Sequence, residues 1–143
     1  MSKIGLDLNQ IKYLNKLGIN TDNGSVYLTI IEYPSENGTS TQCFYSFYKV
    51  SVQNMACENA TVKVIPTFSL QDIWNLLPEE IICENNMRAK LYIHNNSIYY
   101  KYEDEEVKFV ALETMIRDKQ LIDAAYDMLC KLVEDGYINV NKL

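Results

Sequence analysis

The chain has 143 residues, a length that fits one domain and excludes a multidomain enzyme. With 48% hydrophobic and 22% charged residues it has the composition of an ordinary globular domain, which excludes a disordered chain. The net charge of −6 is unevenly placed. In residues 1–66, Lys3, Lys12, Lys16, Lys49 and Lys63 balance Asp7, Asp22, Glu32, Glu36 and Glu58. Residues 67–143 therefore carry the entire acidic excess. Phosphate-tracking proteins cluster Lys and Arg, and this chain has only Arg88 and Arg117 for bidentate contacts, so nucleic acid is not an expected partner.

The first helix signal is Leu6-Asp7-Leu8-Asn9-Gln10-Ile11, with Asp7 as N-cap and Gln10 at the capping-box position. Leu8, Ile11, Leu14 and Leu17 form its apolar stripe, and Gly18 ends it. Ser25–Tyr33 and Thr41–Val52 are rich in β-branched and aromatic residues, and the Asn37-Gly38 turn joins them as a β-hairpin. Residues 53–59 read as a loop, and Ala60–Ile65 as a third strand ending at Pro66.

Phe68-Ser69-Leu70-Gln71-Asp72-Ile73 repeats the earlier start pattern 62 residues on, predicting a second helix that Pro78 follows. Arg88–His94, Ile98–Glu103 and Val107–Leu112 alternate as strands, with turns at Asn95-Asn96 and Asp104-Glu105. Asp118 is positioned to cap a final helix over 119–135, which Gly136 closes. The expectation is an α+β fold with antiparallel sheet, in the order αβββ-αβββα. It divides into an αβββ half (1–66) and an αβββα half (67–143) of a single domain spanning 1–143, with a weak internal repeat. The expected core is Trp74, Leu77, Leu91, Ile93, Phe109, Ile122, Ala125, Leu129 and Val133.

Catalytic chemistry finds little support in the sequence. His94, the single histidine, stands beside a turn without a nucleophile elbow or a Cys-His pairing motif. Glu103-Asp104-Glu105-Glu106 spans a turn and reads as a solvated acidic run. Cys43, Cys57, Cys83 and Cys130 have no zinc-ligand spacing and read as free thiols. No catalytic, cofactor-binding or metal-ligating residue is expected, and no cofactor. Lys3, Asp7, Asn9, Gln10 and Lys12 interrupt any N-terminal apolar run, and no 18-residue apolar stretch exists, so the cytoplasm is the expected compartment and no membrane is involved.

Eleven tyrosines are the most unusual feature, with Tyr99, Tyr100 and Tyr102 on one predicted strand and Tyr45 and Tyr48 on another. Tyrosine gives large contact area at low entropic cost, so these five form the candidate interaction surface. The expected function is a non-enzymatic accessory or regulatory factor that binds an unknown protein partner, with a homodimer as a further expectation. The alternative is a nucleic-acid binder or an acidic nucleic-acid mimic, and the third reading is a small hydrolase.

In element order the second half is similar to a double-stranded-RNA-binding domain. The start of its last helix, Asp118-Lys119-Gln120 followed by Asp123, lacks that family's basic phosphate grip, so the resemblance does not extend to RNA binding. The segment Ile98–Gly136 also resembles the partial version of that fold in HicB-type antitoxins, which implies a protein partner. Three phrases together carry a broader resemblance. They are Leu17-Gly18-Ile19-Asn20-Thr21-Asp22; Phe68-Ser69-Leu70-Gln71-Asp72-Ile73 with Leu76-Leu77-Pro78-Glu79-Glu80-Ile81; and Leu121-Ile122-Asp123-Ala124-Ala125-Tyr126-Asp127-Met128-Leu129 with Glu134-Asp135-Gly136-Tyr137. Across most of its length the chain resembles the small uncharacterised proteins encoded by phages and integrated elements of Bacteroides-group gut bacteria. That resemblance implies a setting and transfers no functional residue.

Overall fold

A computed structural model describes residues 3–50, 59–94, 97–102, 110–115 and 120–143. It is an α+β fold with α-helices α1 (Leu8–Leu17), α2 (Leu70–Leu76) and α3 (Leu121–Glu134). The first antiparallel sheet has the order β2-β1-β3, from β1 (Val26–Ser35), β2 (Gly38–Ser46) and β3 (Thr61–Thr67). The second has the order β4-β5-β6-β7, from β4 (Glu80–Ile82), β5 (Arg88–His94), β6 (Ser97–Tyr102) and β7 (Val110–Met115).

Both helix starts form as their local chemistry dictates. The Asp7 carboxylate accepts from the Gln10 N–H at 2.9 Å while the Gln10 side chain accepts from the Asp7 N–H at 3.0 Å, and Ser69 with Asp72 repeats the exchange. The two starts also meet each other: Leu6 N–H donates to the Phe68 carbonyl at 3.1 Å, and the Thr67 hydroxyl donates to the Leu6 carbonyl at 3.0 Å. Gly18 and Gly136 take the positive φ (98° and 82°) that closes α1 and α3.

Several expectations need correction. The order contains an extra strand, β4, whose three residues are too few to show alternation; it is fixed by pairing Ile81 with Ala89 of β5. β2 begins at Gly38 and ends at Ser46, because the ladder with β1 runs up to the turn, where Ser35 faces Gly38. β3 continues through Pro66, which an edge strand tolerates because one side of its ladder is unpaired. β7 lies further along the chain than expected, with Leu112 opposite Tyr100 and a bulge between Tyr100 and Lys101. α3 is capped at Gln120, whose N–H donates to the Asp123 carboxylate at 3.4 Å. Asp118, Phe109, the two predicted turns and the acidic run 103–106 lie outside the described residues, as does most of the predicted loop 53–59.

One contiguous core draws on both sheets and all three helices. Leu77, Ile122, Ala125 and Leu129 are buried in it as expected, and Trp74, Leu91 and Val133 pack against it half-buried. Ile93 is a correction, being 45% exposed. β4 reaches only Arg88–Lys90 of β5, so the end of β5 has no described neighbour on that side to cover Ile93. α3 contributes Ile122, Ala125, Met128, Leu129 and Leu132, and its Ala124 carbonyl accepts from the buried Thr114 hydroxyl of β7 at 3.1 Å.

A polar clasp ties the N-terminus to α1 and α3. Lys3 Nζ lies 2.8 Å from Asp123 and 3.2 Å from Asp7, and it donates to Gln10 Oε1 at 2.6 Å. Burial alone raises the Asp123 carboxyl, but hydrogen bonds from Lys3 and Gln10 outweigh it and hold the group below its ordinary value. Asp72 is likewise lowered: burial opposes, while the N–H and hydroxyl groups of Ser25 and Ser69 prevail. Because these carboxyls bind protons less readily folded than unfolded, their contribution is present above the ordinary carboxyl range and is lost as pH falls through the folded values. The melting temperature is therefore expected to fall in acid below about pH 4. Asp123→Asn should lower it at neutral pH and flatten that fall, which a series of thermal melts against pH checks.

Candidate functional site

The five candidate tyrosines do not form one surface. On β6 successive side chains alternate between faces, so Tyr99 stands on the outward face while Tyr100 points into the core. Tyr100 is fully buried, its hydroxyl donating to the Pro78 carbonyl at 2.6 Å, and burial pushes its ionisation upward. It is removed from the interaction surface. Tyr102 packs half-buried against the core, where a hydrogen bond with Cys83 and then burial raise its ionisation. Tyr45 packs against the core from β2, with burial as the main cause of its raised value. Tyr48 is 73% exposed just beyond β2, beside Phe47 at 72%.

On the outward face of the second sheet, Tyr99 stacks on Tyr92 with ring centroids 5.8 Å apart, and Lys101 Nζ lies 5.5 Å from the Tyr92 centroid. Cross-strand pairing places Arg88 and Lys90 on this face with Glu80 and Glu113, and Arg88 lies 3.4 Å from Glu80. Tyr92 was not singled out from the sequence. Its signal was the register of β5 with β6, which opposes Tyr92 to Tyr99.

A larger feature lies on the outward face of the first sheet. Leu28 and Ile30 of β1 turn into the core, so Tyr27, Thr29, Ile31 and Tyr33 turn the other way. The register sets Phe44 of β2 and Val64 of β3 on either side of Thr29, with Gln42 and Val62 flanking Ile31. Tyr27, Ile31, Tyr33, Phe44, Val62 and Val64 are half-buried, and none belongs to the core or packs against it. Across these strand positions the face carries no Lys, Arg, Asp or Glu. The sequence signal is the run Val26-Tyr27-Leu28-Thr29-Ile30-Ile31, apolar at both phases, as in a strand covered on both faces.

Thr29, at the centre of this face, is fully buried, and its hydroxyl finds no hydrogen-bond partner among the described residues. An unsatisfied buried hydroxyl destabilises the fold, so the isosteric Thr29→Val is expected to stabilise by about 1 kcal/mol. The readout is a thermal midpoint raised by about 3 °C.

His94 is exposed at the end of β5 and does not line the clefts of about 330, 490 and 500 Å³ formed among the described residues. The second of these includes Cys130, whose thiol burial pushes up to about 11, so it is protonated at neutral pH and a poor nucleophile. Cys43 and Cys83 are also free thiols, and Cys57 lies outside the described residues. Among the described residues no group of three or more His, Cys, Asp or Glu side chains could hold a metal ion, and no helix is long and apolar enough to cross a membrane. Comparison of the chain with protein-family models, with curated proteins and with solved structures found no match.

Proposed function

We propose that this protein is a non-enzymatic protein-binding accessory or regulatory factor, encoded by a phage or mobile element, that docks an apolar, uncharged surface of a partner protein on the outward face of β2-β1-β3. The observation that carries this reading is the charge-free apolar face built by Tyr27, Ile31, Tyr33, Phe44, Val62 and Val64. In a chain with 22% charged residues, such a face is the kind of surface that partners cover. The reading predicts that capture from a Bacteroides-group lysate yields one stoichiometric protein that survives nuclease and high salt, since apolar contacts are not screened. Recovery of only nuclease-sensitive, salt-labile material would overturn it.

One observation favours a second reading, the binding of single-stranded nucleic acid. The stacked Tyr92–Tyr99 pair, with Lys101 over it and Arg88 and Lys90 near it, has the elements of a base-stacking platform. Glu80 and Glu113 share that face, so its local positive excess is small and the reading ranks second. Affinity for a labelled oligonucleotide that falls steeply with salt and is lost in Tyr99→Ala is its expected signature.

A further inference from the structure

We propose that β2 is a dimerisation edge, where a second copy of this chain adds its own β2 antiparallel to form one continuous six-stranded sheet. The inference is independent of the function proposed above. An edge strand presents unpaired N–H and C=O groups, and proteins blunt such edges with charge, proline, bulges or short length. Among the described strands the other edges carry such devices. β3 has Lys63 and Pro66, and β4 is three residues long with Glu80 in it. On β7 the Lys131 ammonium donates to the Glu113 carbonyl at 2.7 Å.

β2 has none of these. It is 9 residues long, Gly38-Thr39-Ser40-Thr41-Gln42-Cys43-Phe44-Tyr45-Ser46, without a charge or a proline, and it pairs with β1 in unbroken register. Three features point to a second copy as the occupant. Each chain carries −6, so two copies repel except where charge is absent, as along this strand. With the strand meeting itself about Gln42, Thr39 faces Tyr45 of the second copy, a favourable β-branched–aromatic cross-strand pair. A two-fold axis through the central residue, Gln42, also brings Phe47 and Tyr48 beside the Glu36-Asn37 turn of the second copy. At 72% and 73% exposure these are the most exposed large hydrophobic side chains among the described residues.

The test is the molar mass of the full chain in solution, by size exclusion with light scattering over a dilution series. Wild type is expected at twice the chain mass of 16.6 kDa. Thr41→Lys, at an exposed edge position, should shift the dimer–monomer midpoint to at least about tenfold higher concentration. Thr61→Lys on β3 should leave it unchanged. If Thr41→Lys loses its folded circular dichroism, Gln42→Glu carries the same comparison. A short bismaleimide should also join two wild-type chains through Cys43, next to the axis, and fail in Cys43→Ser. A wild type that is monomeric throughout, or a dimer that the β2 variants leave intact, would overturn the proposal.

Discussion

Gly24→Ala is expected to destabilise the protein by about 3 kcal/mol or more, lowering the thermal midpoint by on the order of 10 °C. A Cβ at Gly24 would stand 2.0 Å from the Thr67 carbonyl oxygen and 2.4 Å from its carbon, both backbone atoms that no rotamer change can move aside. The surroundings resist displacement. The Gly24 N–H donates to the Thr21 carbonyl at 2.9 Å, and the Thr21 hydroxyl reaches the Pro66 carbonyl at 3.0 Å. Thr67 is itself buried and tied to Leu6. Separating this turn from the end of β3 therefore disturbs the seam where the starts of α1 and α2 meet. Gly136→Ala is the control: its φ of 82° disfavours a side chain, but nothing lies within 4 Å, so a loss of only about 1 kcal/mol is expected. Comparable thermal melts for the two variants would contradict the close approach at Gly24.

The second large effect separates neighbouring tyrosines. Tyr100→Ala should cost about 3–5 kcal/mol, because it empties a fully buried aromatic site and leaves the Pro78 carbonyl without the hydroxyl donor. Tyr99→Ala should cost about 1 kcal/mol, since it removes an outward ring stacked on Tyr92. Tyr100→Phe isolates the hydrogen bond at about 1 kcal/mol. Denaturant titrations should set Tyr100→Ala well below Tyr99→Ala and Tyr100→Phe, and equal losses for the two alanine variants would contradict the strand phase of β6.

That phase is why local sequence does not separate Tyr100 from Tyr99 as a surface residue. Tyr99, Tyr100 and Tyr102 are close along the chain, but neighbours on a strand face opposite ways, and which phase is buried depends on what packs above the sheet. Here the core contains Leu129 and Ile122 of α3, a long-range fact that local sequence does not carry. The helix starts were legible because a capping box is chemistry within four residues, as Asp7–Gln10 and Ser69–Asp72 show. β4 was not, because three residues after Pro78 have no period to read. The cations near Tyr92 are not legible in sequence for a related reason. Arg88, Lys90 and Lys101 are dispersed within an acidic half and are collected on one face only by the register of β5 with β6. The apolar outward face of the first sheet shows in sequence only as the strand propensity of Ser25–Tyr33, because Phe44, Val62 and Val64 come beside it from β2 and β3.

The central claim is that the charge-free face of β2-β1-β3 holds a protein partner. It is tested most directly by quantitative capture from nuclease-treated lysate with wild type and Ile31→Glu as parallel baits. Ile31 is half-buried at the middle of the face and outside the core, so a carboxylate there charges the docking surface while leaving the fold in place. The account predicts a stoichiometric partner on wild type and loss of at least about nine-tenths of it on Ile31→Glu, equivalent to a tenfold weaker complex. Equal recovery on both baits, with both folded by circular dichroism, would contradict it.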